Sequence, residues 1–292
     1  MFIPLSDSNA LKHIKLQYVT LGIIAVNCLI WLIVGTPAIF GPEAVRATNF
    51  GFGFIPAVVN GYQILPPELE QINEQFTYVT YAFFHGDFMH LAGNMLFVWV
   101  FGDNIEDAMG HWRFLFFYLA CAIAGAIAHS MVDPQSAAPL IGASGAAAGI
   151  VGAYLLLHPK IRIWVLALGR IPLRIPAVFV LGAWIAFQFY QFATDPDGQV
   201  SWAAHVGGIV AGMVLILFLK RSDVALFDRD VDVVIPTPDI VKENINVATP
   251  VEDIDGVAAR KTSRASSSDV SRGSSVPKAG TRKKINWGRK LR

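Results

Sequence analysis

The chain has 292 residues, 54% of them hydrophobic and only 15% charged, with a formal net charge of +1. A water-soluble domain of that balance would expose more apolar surface than it could keep in solution, so the composition excludes an ordinary soluble enzyme and points to a membrane protein. Nothing in the charge balance suggests a nucleic-acid partner.

Residues 1–15 lack the basic region, short apolar core and small-residue cleavage site of a signal peptide, so the first apolar run is expected to stay in the mature protein. Six apolar runs follow, at 18–34, 89–105, 114–132, 144–157, 176–192 and 202–219. Each is near the length that crosses a bilayer, which predicts an all-α polytopic membrane protein with a six-helix bundle over 18–219. The first connection, about 35–88, carries Gly, Pro and aromatic residues with Glu43, Glu68, Glu70 and Glu74. It reads as an irregular, partly membrane-embedded loop. Cys28 and Cys121 both fall inside runs, which supports neither a disulfide nor a metal site, and no cofactor is expected. From Lys220 onward the composition turns polar, Ser-rich and finally basic, which predicts a disordered tail over 220–292.

Basic residues sort by alternate connections. Lys12 and Lys15 precede the first run, Arg113 lies between the second and third, Lys160, Arg162, Arg170 and Arg174 lie between the fourth and fifth, and Lys220 and Arg221 follow the sixth. Arg46 is the exception. The positive-inside rule then puts residues 1–17 and the tail in the cytoplasm, and runs two, four and six all enter from the outer face.

Polar side chains inside such runs are costly and need partners, so His90, Asn94, Ser144 and His205 are candidates for function. Ser144 stands in IGASGAAAG, where Gly142 and Gly145 mark a turn feeding a helix. From Ser144 to the stop at His158, Pro159 and Lys160 that helix covers about 22 Å, against a hydrocarbon core of about 30 Å. Its outer end should therefore lie below the membrane surface, where non-helical backbone survives only beside protein or a wet cavity. A serine there, next to free N–H groups, is placed for nucleophilic attack. The bland alternative is a small residue at a helix contact.

His205, in SWAAHVGGIVAG, enters from the same face and supplies a base. Gly208 and Gly212 on its run, with Gly145 and Gly149 on the run of Ser144, form small-x-x-x-small patterns that allow the close approach a Ser–His hydrogen bond requires. His90 and Asn94 are four apart in HLAGN and share a face. Both can donate to a developing oxyanion, with the backbone N–H of Ser144 as a third donor. An interhelical polar clamp would need the same two residues, and the sequence does not separate these roles. Asp103, Glu106 and Asp107 fall at the cytoplasmic end of run two, where they are expected to cap or neutralise that helix end. No carboxylate is placed to complete a triad, which leaves a Ser–His dyad.

These residues resemble the rhomboid intramembrane serine proteases over almost all of 18–219, through HGDFMHLAGNMLFVWVFGDNIEDAMG, GASG and AHVGGIVAG in that order. The resemblance implies that Ser144 and His205 are a catalytic dyad, that His90 and Asn94 help form the oxyanion hole, and that Gly142 and Gly145 shape the active-site turn. It implies transmembrane protein substrates cut near the outer membrane boundary. His85 matches a histidine common in the family and reads as structural. Ala148 stands where some members carry an aromatic that stacks on the histidine, so the ring must be oriented from elsewhere. The Trp-Arg pair that some members carry in the outer loop is missing. A catalytically silent binder of transmembrane helices is the alternative, although this chain keeps both serine and histidine. A transporter is disfavoured by the lack of repeats or buried charge pairs. The absence of a transit peptide or added soluble domain points to a prokaryotic inner membrane, with the lipid bilayer as surroundings and the oligomeric state open.

Overall fold

Each apolar run folds as one helix, because in an apolar setting a helix satisfies its own backbone polar groups. The computed structural model describes residues 2–167, 169–195 and 200–228, all within the unit Met1–Ile235. The rest of the expected tail, including the unit Pro236–Arg292, lies outside the described residues.

In chain order, strand β1 (Phe2–Asp7) precedes helix α1 (Tyr18–Val34). Short helices α2 (Pro37–Phe40), α3 (Pro42–Phe52), α4 (Pro56–Val59) and α5 (Thr77–Thr80) occupy the first connection. Then come α6 (Phe88–Met109), α7 (His111–Val132), α8 (Ser144–Leu157), β2 (Arg162–Ala167), β3 (Ile171–Pro176), α9 (Ala177–Thr194) and α10 (Trp202–Leu219). Among the described residues, α7, α9 and α10 are long and apolar enough to cross a membrane, while α1 and α8 are apolar but shorter. The chain is an integral membrane protein.

The fold is mostly helical rather than all-α. Strands β1, β2 and β3 form an antiparallel sheet in that order, with Ser6 opposite Trp164 and Trp164 opposite Arg174. Ile163, Val165 and Ala167 are buried while Arg162 and Trp164 are exposed, the period-two pattern of a half-buried strand. Against so apolar a background that alternation is inconspicuous, and the arginines of this stretch look like ordinary loop charges. The first connection is also more regular than expected. Pro42 opens α3 at the position where a missing N–H costs nothing. Phe54 and Leu140 then exchange backbone hydrogen bonds of 3.0 and 2.8 Å, which clips the connection to the segment ahead of α8.

Asp87 caps α6 by accepting from the backbone N–H of His90 at 2.9 Å. At the other end Gly110, with φ of +85°, lets the chain pass from α6 into α7 through a single residue. Of the three carboxylates near that end, Asp103 stays with its own helix, accepting from the backbone N–H and the side-chain amide of Asn104 at 2.7 and 2.9 Å, while Glu106 and Asp107 serve a neighbour. Glu106, fully buried, accepts from the N–H groups of Val19 and Thr20 at 3.0 and 2.8 Å and from the Thr20 hydroxyl at 2.7 Å. It also pairs with His111. It thereby caps α1, whose own N-cap residue Gln17 provides no side-chain bond. Asp107 accepts from the backbone N–H groups of Lys12, His13 and Ile14 at 2.9, 2.7 and 2.7 Å. Asp7, at the end of β1, accepts from Tyr154 on α8 at 2.6 Å and from Asn104 on α6 at 2.9 Å. Burial pushes its carboxyl above the usual range, with the Tyr154 hydrogen bond opposing that shift.

Asp107→Ala leaves three N–H groups without their charged acceptor and is expected to lower stability by about 3 kcal/mol. Asp223→Ala, which removes a largely exposed carboxylate, should change it by less than about 0.5 kcal/mol. Thermal unfolding of the two variants in detergent micelles checks the contrast.

Candidate active site

The turn into α8 is held by backbone and side-chain bonds from three directions. Gly142 donates its N–H to the carbonyl of Tyr81 at 2.9 Å, and Tyr81 donates its hydroxyl to the carbonyl of Ala122 on α7 at 2.7 Å. The Ala143 N–H donates to Nε2 of His85 at 3.3 Å, and Nδ2 of Asn94 donates to the same nitrogen at 3.0 Å. With two donors on Nε2, His85 must carry its proton on Nδ1. His85 thus ties the residue before Ser144 to Asn94, in keeping with a structural role.

Gly142 has φ of +112°, and a Cβ there would overlap the His90 ring and lie 3.4 Å from Nδ2 of Asn94. Only glycine lets the turn adopt this conformation and lie against both side chains. The start of α8 has no side-chain cap. Its first N–H groups therefore remain available beside Ser144, with the positive end of the helix dipole.

Helices α8 and α10 touch through backbone. A Cβ on Gly208 would run into the carbonyl of Gly145, and one on Gly212 into the carbonyl of Gly149. From the other side, a Cβ on Gly145 would lie 3.3 Å from the carbonyl of Ala204, the residue before His205. One on Gly149 would lie 3.0 Å from the Gly208 carbonyl and overlap Cys121 of α7. Close contact of this kind fixes the rotation and the height of each helix against the other.

Ser144, His205, His90 and Asn94 all line one cavity of about 220 Å³, together with Met89, Phe97, Ala148 and Trp184. Ser144, His90 and His205 are half-buried and Asn94 is buried. Among the described residues the Ser144 hydroxyl and the His205 ring face this common space without a hydrogen bond between them. A larger cavity of about 450 Å³ lies by Leu157 and His158, at the other end of α8, and brings together Lys12, Asp107 and Asp228 but no comparable nucleophile.

The surroundings of His205 include residues that the sequence reading did not single out. Its Nδ1 lies 2.7 Å from Oε1 of Gln188 on α9. Trp184 stacks on the ring with centroids 6.4 Å apart, and Trp202 meets it edge-on at 5.8 Å. Gln188 is a polar residue inside an apolar run, so the rule that selects His90 and Asn94 selects it too. Gly125 and Gly207 pack α7 against α8 and α10 in the same small-residue manner and were also missed.

A family profile described as "Rhomboid domain" matches residues 73–222, which is half of the chain. Rhomboid protein 1, mitochondrial, of Saccharomyces cerevisiae is 30% identical over 194 residues, covering 61% of this chain and 52% of the yeast protein. Rhomboid-related protein 2 of Mus musculus is 30% identical over 147 residues, covering 49% and 48%. Rhomboid protease GluP of Bacillus subtilis is 32% identical over 145 residues, covering 50% and 26%. The chain spans about half the length, or less, of these curated relatives. It belongs to the rhomboid family.

The α8–α10 contact makes a prediction of opposite signs. Gly208→Ala forces the two backbones apart and is expected to lower stability by about 2 kcal/mol. Gly182→Ala on α9, where an added Cβ meets nothing within 4 Å, should raise it by about 0.5 kcal/mol through helix propensity. Thermal unfolding of both variants in the same detergent decides it.

Proposed function

We propose that this member of the rhomboid family is an intramembrane serine endopeptidase that cleaves transmembrane protein substrates near the outer membrane boundary, with Ser144 as nucleophile and His205 as general base. The observation that carries the reading is the single cavity lined by Ser144, His205, His90 and Asn94 at the uncapped start of α8. Family membership supports proteolysis as the class of reaction.

In the first step the Ser144 hydroxyl gives its proton to Nε2 of His205 as Oγ bonds to the scissile carbonyl carbon. Negative charge gathers on the carbonyl oxygen. His90, Asn94 and the backbone N–H of Ser144 donate to it, aided by the dipole of α8. Collapse breaks the C–N bond, and the imidazolium passes its proton to the departing amine. Water then attacks the acyl-enzyme with His205 again taking a proton, which it returns to Ser144 Oγ as the acid product leaves. A spanning substrate helix hides its carbonyls in hydrogen bonds, so helix-breaking residues near the cut would ease access.

In this reading α1, α6, α7, α8, α9 and α10 are six spans over 18–219, with residues 1–17 and the tail from 220 in the cytoplasm, supported by the alternation of basic connections. The location we propose is a prokaryotic inner membrane; the relatives include a bacterial protein alongside mitochondrial and chloroplastic ones and do not select among these locations. A catalytically silent binder of transmembrane helices is the second reading. It is favoured by the lack of a Ser144–His205 hydrogen bond, although catalytic hydrogen bonds often tighten only when substrate binds.

Purified protein in detergent micelles should cleave a model transmembrane substrate, and Ser144→Ala and His205→Ala should each lower kcat/KM by at least about 10⁴-fold. Undiminished cleavage by Ser144→Ala would sink the mechanism. Capture of substrate without turnover by the unmutated protein would establish the silent binder instead.

A further inference from the structure

A histidine that acts as base at Nε2 must hold its proton on Nδ1 and must keep its ring turned toward the nucleophile. No acid reaches His205 among the described residues, and Ala148, facing the same cavity, offers no ring surface against which an imidazole could stack. The orientation comes from α9. Trp184 and Gln188 are four apart and share a face of that helix, one stacked on the imidazole and the other bonded to it.

The direction of the Gln188 amide is decided by its second bond. Nε2 of Gln188 donates to the carbonyl of Trp184, one turn back, at 3.3 Å. Reversing the amide would set its oxygen against that carbonyl, two acceptors facing each other, so Oε1 must be the atom that meets the imidazole. An amide oxygen can only accept. Nδ1 of His205 therefore carries the proton, and Nε2 keeps its lone pair. Gln188 is 2% exposed, which removes water as a competitor for either bond.

We propose that Gln188 is the positioning residue of this site, its amide oxygen accepting from Nδ1 of His205 and thereby holding the ring and fixing the tautomer whose Nε2 takes the Ser144 proton. This rests on the reading of His205 as general base. The arrangement is a neutral counterpart of a catalytic triad. An amide oxygen fixes the tautomer as a carboxylate does, yet it brings no full charge to stabilise the imidazolium that forms during acylation.

The test uses the full chain in detergent micelles, with the rate of labelling by a fluorophosphonate followed across pH alongside cleavage of a model transmembrane substrate. Gln188→Met keeps the length and volume of the side chain but has no oxygen to accept from Nδ1. It is expected to lower the labelling rate and kcat by roughly 10- to 100-fold at every pH, with KM and the thermal midpoint close to those of the unmutated protein. Gln188→Glu restores an acceptor and adds a charge. It should recover activity at alkaline pH and move the acidic limb of the rate profile to higher pH, a shift that a packing role would not produce. Full labelling and cleavage by Gln188→Met would overturn the proposal. So would equal losses in both variants that follow a lowered thermal midpoint without a change in pH profile. Ser144→Ala and His205→Ala serve as the reference. If these two are inactive and Gln188→Met is not, only the role of Gln188 falls; if either retains activity, the dyad itself is wrong.

Discussion

The contact between α8 and α10 is the constraint on which the rest of the molecule depends. Where the carbonyl of Gly145 meets Gly208 and that of Gly149 meets Gly212, no side-chain atom stands between the two backbones. In lipid, apolar side chains gain little by leaving one apolar surface for another, so helices associate through van der Waals contact at close range. Here that contact also fixes where Ser144 and His205 stand relative to each other. Ser144 and His205 each stand within one turn of the first glycine pair, and any slip or rotation of one helix would move them relative to each other.

A second requirement is that the turn before α8, being non-helical, must place its polar groups somewhere. Tyr81 and His85 meet it from the first connection, and Tyr81 extends the link to α7. The 35–88 segment is thus part of the scaffold of the candidate site. The carboxylates of α6 do comparable work at the opposite end, where Glu106 and Asp107 gather the backbone N–H groups that lead into α1. Both cases follow from one rule, that buried backbone donors and acceptors must find partners.

How much of this was legible in the sequence depended on the reach of the signal. Runs 18–34, 144–157 and 202–219 coincide with α1, α8 and α10, because apolar length with Gly, Pro or charged punctuation is a local property. His90, Asn94, Ser144 and His205 were conspicuous as polar groups in apolar surroundings, and they do share a cavity. The sheet was missed because period two hardly shows among residues that are nearly all apolar. In the sequence Glu106 and Asp107 look like groups serving their own helix, since nothing local shows that α1 starts beside them. Gln188 had the same local signal as Asn94, but its partner lies 17 residues away on another helix, and pairing across helices is a property of packing.

The glycine seam has one further consequence, for Cys121. Its thiol occupies the space that a side chain on Gly149 would take, and it is fully buried, whereas Cys28 on α1 is exposed. The chain has no other cysteine. A thiol reagent small enough to enter the micelle therefore counts one reactive sulfur while α7 remains against α8, and two once they part. The protein carries its own gauge of local opening, set where α7 and α10 both close on the helix of Ser144.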